Sequence, residues 1–283
     1  MRNSTENIYQ EKANLVIDYI SAHLHHPLQL NKIAEYVHVS QRQLLRIMHS
    51  FLQEPLYTYI ARQRIERAVL YMQTEQMNLD RLAGMVGYDN PQSFSKAFKK
   101  QFGISPKTYM KELQAQLEKY VKSAGNKYDD IQHFVSREEE LDLVYIRIFG
   151  KYGEKEPYET AWGKLVDFLK NKGALSPDTR FIGISFDDPN VTHAAQCRFY
   201  ACASVSKKIT TTGEFGTIRI PAGTYAVYTV KGSYSQLKEI YNRMNFTFAS
   251  NIRLGMSFEE YVNNPYDTAE ENLLTKIYIP IKD

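Results

Sequence analysis

GYDNPQSFSKAFKKQFGISP, residues 87–106, decides how the first half of the chain is read. Phe94, Phe98 and Phe102 recur every fourth residue, which in a helix places them on one stripe and sends the residues between them elsewhere. Those residues are Gln92, Ser93, Ser95, Lys96, Lys99 and Lys100. The same pattern occurs about 50 residues earlier. LQLNKIAEYVHVSQRQLLRIMHSFLQEPLYTYI (28–60) aligns with MNLDRLAGMVGYDNPQSFSKAFKKQFGISPKTYM (77–110), Leu30 matching Leu79. Ile33-Ala34 then matches Leu82-Ala83, Val37 matches Val86, Leu44 matches Phe94, Met48 matches Phe98 and Pro55 matches Pro106. Each copy reads as a short amphipathic helix, a tight turn, and a second helix capped by Ser40 or by Asp89/Asn90. That is a helix-turn-helix unit, with Ala34 or Ala83 allowing close packing.

If the apolar stripe of each second helix docks on its own bundle, the opposite face carries Gln41, Arg42, Gln43 and Arg46 in the first copy. In the second it carries Pro91, Gln92, Ser93, Ser95 and Lys96. Arginine and lysine suit guanine edges, glutamine suits adenine, and serine reaches bases or phosphates, each good bidentate pair giving about 1–3 kcal/mol of discrimination. Lys99, Lys100 and Lys107 are placed for phosphates, where they raise affinity without reading sequence. Between the copies, Ile60, Ile65, Ala68, Val69 and Met72 form a helical seam, so this stretch is expected to be one connector fixing the separation of the two reading helices.

Composition agrees with this division. The chain has 283 residues, 43% hydrophobic and 24% charged, which excludes a disordered protein and allows two ordinary domains. Its net charge of +3 conceals a gradient: residues 1–110 carry thirteen Lys and Arg against nine Asp and Glu, and residues 128–283 carry eighteen against twenty-one. The basic half is the half with the repeated unit. No apolar run reaches membrane-spanning length and MRNSTENIYQEKANL lacks a signal-peptide core, so a cytoplasmic location with no membrane partner is expected. Cys197 and Cys202 sit an odd number apart in CRFYACASV, which predicts reduced thiols on opposite faces of a strand. His23, His25 and His26 lack further ligands at a zinc-like spacing and read as a polar helix end before Pro27. No metal and no cofactor is expected.

The first half resembles the AraC/XylS family of transcription regulators over residues 10–110. The residues that carry the resemblance are Arg64-Ile65 with Ala68 and Leu70, then Leu82-Ala83, Gly87-Tyr88, Phe94-Ser95, Phe98-Lys99, Phe102-Gly103 and Ser105-Pro106. The resemblance implies that one molecule sets both second helices in successive major-groove segments on one face of promoter DNA, about 34 Å apart. By position, the readers would be Arg42, Gln43 and Arg46, then Gln92, Ser93, Ser95 and Lys96.

MKELQAQLEKYVKSAGNKYDD (110–130) runs from an amide-rich helical stretch into Ser-Ala-Gly-Asn, so a linker is expected over 111–127. Beyond it, LDLVYIRIF, TIRIPAGTYAVYTV and KIYIPI are strand-like and alternate with two helical stretches. A strand-helix-strand unit recurs here: Gly150 and Tyr152 match Gly232 and Tyr234, Gly183 and Phe186 match Gly255 and Phe258, and Pro189 matches Pro265. Aromatics suited to a ligand cage gather around these units: Tyr145, Tyr152, Tyr158, Trp162, Tyr200, Tyr225, Tyr234, Phe258, Tyr261 and Tyr278, with Glu259 as a carboxylate. Such a cage would attract a lipophilic cation; packing into a core is the competing role of each ring. IPAGTYAVYTVKG (220–232), SFEEY (257–261) and KIYIPIK (276–282) resemble the GyrI-like effector-binding domain of multidrug-responsive regulators. That resemblance implies Glu259 as the acidic pocket residue and Trp162, Tyr152, Tyr234 and Tyr261 as its walls.

The expected architecture is therefore multidomain: an all-α tandem helix-turn-helix domain (1–110), a linker (111–127), and an α+β domain with a duplicated strand-helix-strand unit (128–283). The expected function is a sequence-specific, DNA-binding transcription regulator, with activation favoured, whose C-terminal domain senses a small amphipathic or cationic effector. RNA polymerase is a candidate partner. Two alternatives stand beside it: a C-terminal domain that binds a protein partner, and a GyrI-like domain with hydrolase activity. No nucleophile-base-orienter set supports an enzyme.

Overall fold

The computed structural model describes residues 2–75, 77–123, 133–237, 240–241 and 252–283. The chain divides into two compact units, residues 1–119 with 212–214 and residues 120–211 with 215–283. Among the described residues no helix is long and apolar enough to cross a membrane.

Seven helices make up the first part: α1 (Arg2–His23), α2 (Leu30–Tyr36), α3 (Gln41–Leu52), α4 (Leu56–Thr74), α5 (Leu79–Met85), α6 (Pro91–Phe102) and α7 (Pro106–Ser123). The pairs α2/α3 and α5/α6 are the two helix-turn-helix copies. Ser40 caps α3 by accepting from the Gln43 amide at 3.2 Å, and Asn90 caps α6 by accepting from the Ser93 amide at 2.8 Å. Leu44 and Met48 of α3 and Phe94 and Phe98 of α6 are fully buried. Phe102 is half-buried and tilts against Tyr109 with ring centroids 5.2 Å apart. The connector α4 buries Ile60, Ile65, Ala68 and Val69 along its seam.

The turns repeat down to single hydrogen bonds. Val39 N–H donates to Ala34 O at 3.0 Å and Tyr88 N–H to Ala83 O at 2.9 Å, each across a residue with positive φ: His38 at 52° and Gly87 at 84°. The ends of α3 and α6 repeat the device with Gln53 at φ 56° and Gly103 at 76°. Left-handed backbone ends a helix in both copies, but only the second copy uses the residue that adopts it without steric cost.

Arg64 braces the second copy. Its Nε donates to Leu24 O at 3.1 Å and its Nη2 to His26 O at 2.9 Å, closing the carbonyl end beyond α1. Its guanidinium lies 5.7 Å from the Tyr88 ring centroid. Gly87 sits against this joint: a Cβ there would run into Leu24 O and come within 2.9 Å of the Arg64 guanidinium, whereas a Cβ at Gly103 meets nothing within 4 Å. Helix α7 continues through residues 111–123 of the expected linker, where Lys111, Glu112, Gln114, Gln116 and Glu118 are exposed; residues 124–127 of that linker lie outside the described residues.

The second part is one antiparallel sheet of β1 (His133–Glu138), β2 (Leu141–Phe149), β3 (Phe181–Ser185), β4 (Arg198–Ser204), β5 (Phe215–Ile220), β6 (Gly223–Lys231), β7 (Phe258–Tyr261) and β8 (Leu274–Pro280), with α8 (Lys155–Asn171) between β2 and β3. The strand order, β1-β6-β8-β7-β3-β4-β2-β5, reads as the same four-strand block from either end. The units β2-α8-β3 and β6 to β7 are the duplication, and β7 and β3 meet at its centre with Gly183 opposite Glu259 and Phe181 opposite Tyr261. Gly150 and Gly232 hold equivalent positive φ values after β2 and β6, 147° and 116°. The match of Gly183 with Gly255 does not hold: Gly183 lies inside β3, whereas Gly255 precedes β7. Of the helix expected in the second unit, Leu237, Ile240 and Tyr241 are helical, and residues 238–239 and 242–250 lie outside the described residues.

The second copy predicts the cost of filling its two left-handed glycine positions. Gly103→Ala should destabilise the chain by about 1–2 kcal/mol, the cost of left-handed backbone for a residue with a Cβ. Gly87→Ala should cost more, because strain and overlap with the Leu24 carbonyl add. Urea unfolding of the two variants checks the order; equal losses would remove the Arg64 joint from this account.

Candidate functional site

Two sets of side chains stand out from the fold. The first is the outer ridge of α3 and α6. With Leu44, Met48, Phe94 and Phe98 buried, Gln41, Arg42 and Arg46 on α3 and Gln92, Ser93, Lys96, Lys99 and Lys100 on α6 are exposed, as is Lys107. Gln43, Pro91 and Ser95 are half-buried. Gln43 and Arg46 share a partner, the Tyr9 hydroxyl of α1, at 3.4 Å and 3.3 Å. The residues expected to read bases therefore lie on the two second helices, away from their buried stripes, and Lys107 lies on α7. Arginine, lysine and amides on exposed helix surfaces of this kind can contact base edges and phosphates.

The second set surrounds Glu259. Residues directly opposite in a ladder share a face. Glu259 faces Ile277, and Ile277 packs with Ala226, Tyr228 and Val230. Tyr261, on the same side of β7, packs with Val144, Ile146, Phe199 and the α8 residues Ala161, Leu165 and Leu169. This is the face covered by α8. Phe258 points to the other face, opposite Tyr278, and joins Tyr145, Tyr200 and Tyr225 in a separate buried cluster. Of the aromatics considered for a ligand cage, Tyr145, Tyr200, Tyr225, Phe258 and Tyr278 are thus core on the far side of the sheet. Tyr152, Tyr158, Trp162, Tyr234 and Tyr261 lie on the Glu259 side.

Glu259 is 5% exposed. Tyr261 Oη donates to its Oε2 at 2.6 Å, and Tyr241 supplies a second hydrogen bond. Tyr261 is met edge-on by Trp162 at 5.6 Å and by Tyr234 at 5.2 Å between centroids. Among the described residues no lysine or arginine pairs with Glu259, and burial raises its pKa although the two tyrosine hydrogen bonds pull it down. Its neighbour Glu260 shows the opposite outcome. Burial raises the Glu260 pKa too, but Arg180, at 3.0 Å and 2.8 Å, together with the Tyr278 hydroxyl outweighs it and the pKa falls. Two adjacent carboxylates on opposite faces of one strand are therefore tuned apart: Glu260 is paired with Arg180, and Glu259 is held by tyrosine hydroxyls without a basic partner among the described residues.

Gly183, opposite Glu259 on β3, makes the tyrosine contact possible. A Cβ there would lie 2.5 Å from Tyr261 Oη and 2.7 Å from Phe199 Cζ. Tyr152 joins the same hydrophobic cluster, but its hydroxyl is committed to the loop beside β4: it accepts from the Asp187 amide and lies 3.0 Å from the Asp187 and Arg198 carbonyls. Tyr241 was absent from the sequence expectations for this site, and Tyr158 stood only in the wider aromatic set. Both are close enough to the carboxylate for charge coupling. Tyr158 precedes Trp162 by one turn of α8, and Tyr241 follows Tyr234 by two turns' spacing; these intervals were the available signal.

Residues 33–112 match the family model of a helix-turn-helix domain, and residues 132–282 match that of a GyrI-like small molecule binding domain. The chain is 33% identical over 107 residues to the putative HTH-type transcriptional regulator YkgA of Escherichia coli (strain K12), covering 37% of this chain and 45% of that one. It is 33% identical over 94 residues to the HTH-type transcriptional activator AarP of Providencia stuartii, covering 33% of this chain and 70% of the relative. The chain thus spans less than half the length of the first relative. The cryo-EM structure of an EcmrR-DNA complex in EcmrR-RPo is similar over 90% of this chain and 100% of that one, with 14% identity and a TM-score of 0.45.

The raised Glu259 pKa predicts a pH signature. The folded chain keeps this proton at pH values where the unfolded chain has released it, so stability falls as pH rises from the ordinary carboxylate range through the raised value. The stability of Glu259→Gln relative to the parent should therefore increase across that window and level off above it. Urea unfolding at a series of pH values reads this difference; a difference constant with pH would contradict the burial-driven shift.

Proposed function

This chain belongs to the AraC-type helix-turn-helix regulators and carries the GyrI-like small-molecule-binding domain, and from that premise we propose that it is a sequence-specific transcription regulator controlled by a small effector. In this reading residues 1–110 bind promoter DNA, residues 111–127 join the domains, and residues 128–283 bind the effector. The protein acts in the cytoplasm as an activator, in contact with RNA polymerase. The observation that carries the DNA half is the duplicated second helix, each copy with a buried stripe and an exposed polar ridge.

Arg42, Gln43 and Arg46 read one major-groove segment, and Gln92, Ser93, Ser95 and Lys96 read the next. Lys99 and Lys100 hold the backbone. Arg46→Ala and Gln92→Ala should each cost about 1–3 kcal/mol on the preferred duplex and relax one base pair. Lys100→Ala should weaken all duplexes alike and lower the salt slope by about 1. Affinity measured on preferred and shuffled duplexes across salt concentrations separates these effects; uniform losses from all three variants would sink the assignment.

The effector reading rests on Glu259 among Tyr241, Tyr261, Tyr234 and Trp162. A buried carboxylate with no basic partner among the described residues, beside a cluster of aromatic side chains, suits a lipophilic cation. The assignment makes Glu259 a binding group, and no turnover is part of it. Cation binding favours the ionised carboxylate, so affinity should rise with pH through the raised Glu259 pKa and then level. Titration with a cationic dye, followed by Trp162 fluorescence, should show this rise in the parent. Glu259→Gln should lose at least about tenfold in affinity and the pH dependence with it. Binding of the dye with equal strength by the variant would refute the cation assignment.

A further inference from the structure

Tyr9 lies on α1, ahead of the helix-turn-helix segment, yet its hydroxyl reaches the reading ridge of α3. Gln43 Nε2 donates to it at 3.4 Å and Arg46 Nη2 at 3.3 Å. Gln43 and Arg46 are three residues apart, one above the other on the helix surface. A phenolic oxygen has acceptor capacity for both donors. The contact uses one terminal nitrogen of the Arg46 fork and leaves its other donors for a base or phosphate. Without such a tie, a long exposed arginine must be ordered when DNA binds, at a cost in affinity.

The second copy shows what an unbraced ridge looks like. Ser93 and Lys96 hold the positions equivalent to Gln43 and Arg46, and among the described residues no side-chain hydrogen bond of this kind reaches them. The repeat is thus asymmetric in a feature that its own sequence does not carry, because the brace comes from outside the repeated unit.

We propose that Tyr9 is a positioning residue for base reading by α3, orienting Arg46 and Gln43 before the duplex arrives. The proposal rests on the DNA-reading role assigned to α3. The hydroxyl acts through the two readers and makes no base contact of its own, so its removal should alter sequence preference at one half-site and leave the phosphate-driven component untouched.

The test is Tyr9→Phe in the full chain, compared with Arg46→Ala and the double variant, by selection from a random duplex pool and by affinity on preferred and shuffled duplexes. Tyr9→Phe should bind the preferred duplex about three- to tenfold more weakly and the shuffled duplex with parental affinity. Its thermal midpoint and salt slope should be unchanged. Preference should relax only at the base pairs under α3, and the double variant should lose less than the sum of the two single losses, as expected when part of the hydroxyl's effect runs through that arginine and the rest through Gln43. Parental preferences in Tyr9→Phe, tighter binding, or an equal loss at both half-sites would overturn the proposal. If Arg46→Ala and Gln43→Ala each leave every preference unchanged, the two side chains that Tyr9 holds do not read bases, and the role of Tyr9 falls with them.

Discussion

A helix can bury only one face against its own bundle, and in α3 and α6 that face is claimed by Leu44 with Met48 and by Phe94 with Phe98. Full burial of each such side chain contributes about 1.5–3 kcal/mol, which would be lost if either helix turned its stripe to solvent. The rotation of both helices about their axes is therefore fixed by the core. Their ends are fixed by caps at Ser40 and Asn90 and by left-handed residues at Gln53 and Gly103. What remains for solvent is a ridge of amides, hydroxyls, arginines and lysines, presented twice with the same local geometry.

The sheet domain uses the same logic with a period of two. Neighbours on β7 face opposite ways, so Phe258 and Glu260 join one environment and Glu259 and Tyr261 another. On the first face Arg180 compensates Glu260. On the second, hydrogen bonds from two tyrosines support Glu259 without cancelling its charge, which leaves its pKa raised by burial. Buried charge without a cation is costly for stability, and that cost sits at the centre of the duplicated sheet, where β3 and β7 meet.

Much of this was legible in the sequence because it is periodic. The fourfold spacing of phenylalanines gave the buried stripe of α6, and its match to Leu44 and Met48 gave the repeat. Other features left no periodic trace. His38 and Gln53 adopt the backbone that glycine adopts in the second copy, and residue type alone conceals that. Tyr9 precedes the repeat, and its reach to Arg46 depends on how α1 crosses α3. Strand parity alone separates Phe258 from Glu259, but assigning Tyr145, Tyr200, Tyr225 and Tyr278 to a face requires the pairing register. Tyr241 became visible only through its hydrogen bond to a residue on a distant strand.

Selection of duplexes from a fully random pool by the purified full chain at moderate ionic strength tests the central claim most directly. Two rigidly separated ridges should enrich two short conserved blocks whose centres lie about one helical turn, roughly 10 base pairs, apart. Recovery of no motif beyond random competitor, or of a single block with no fixed companion, would contradict the account.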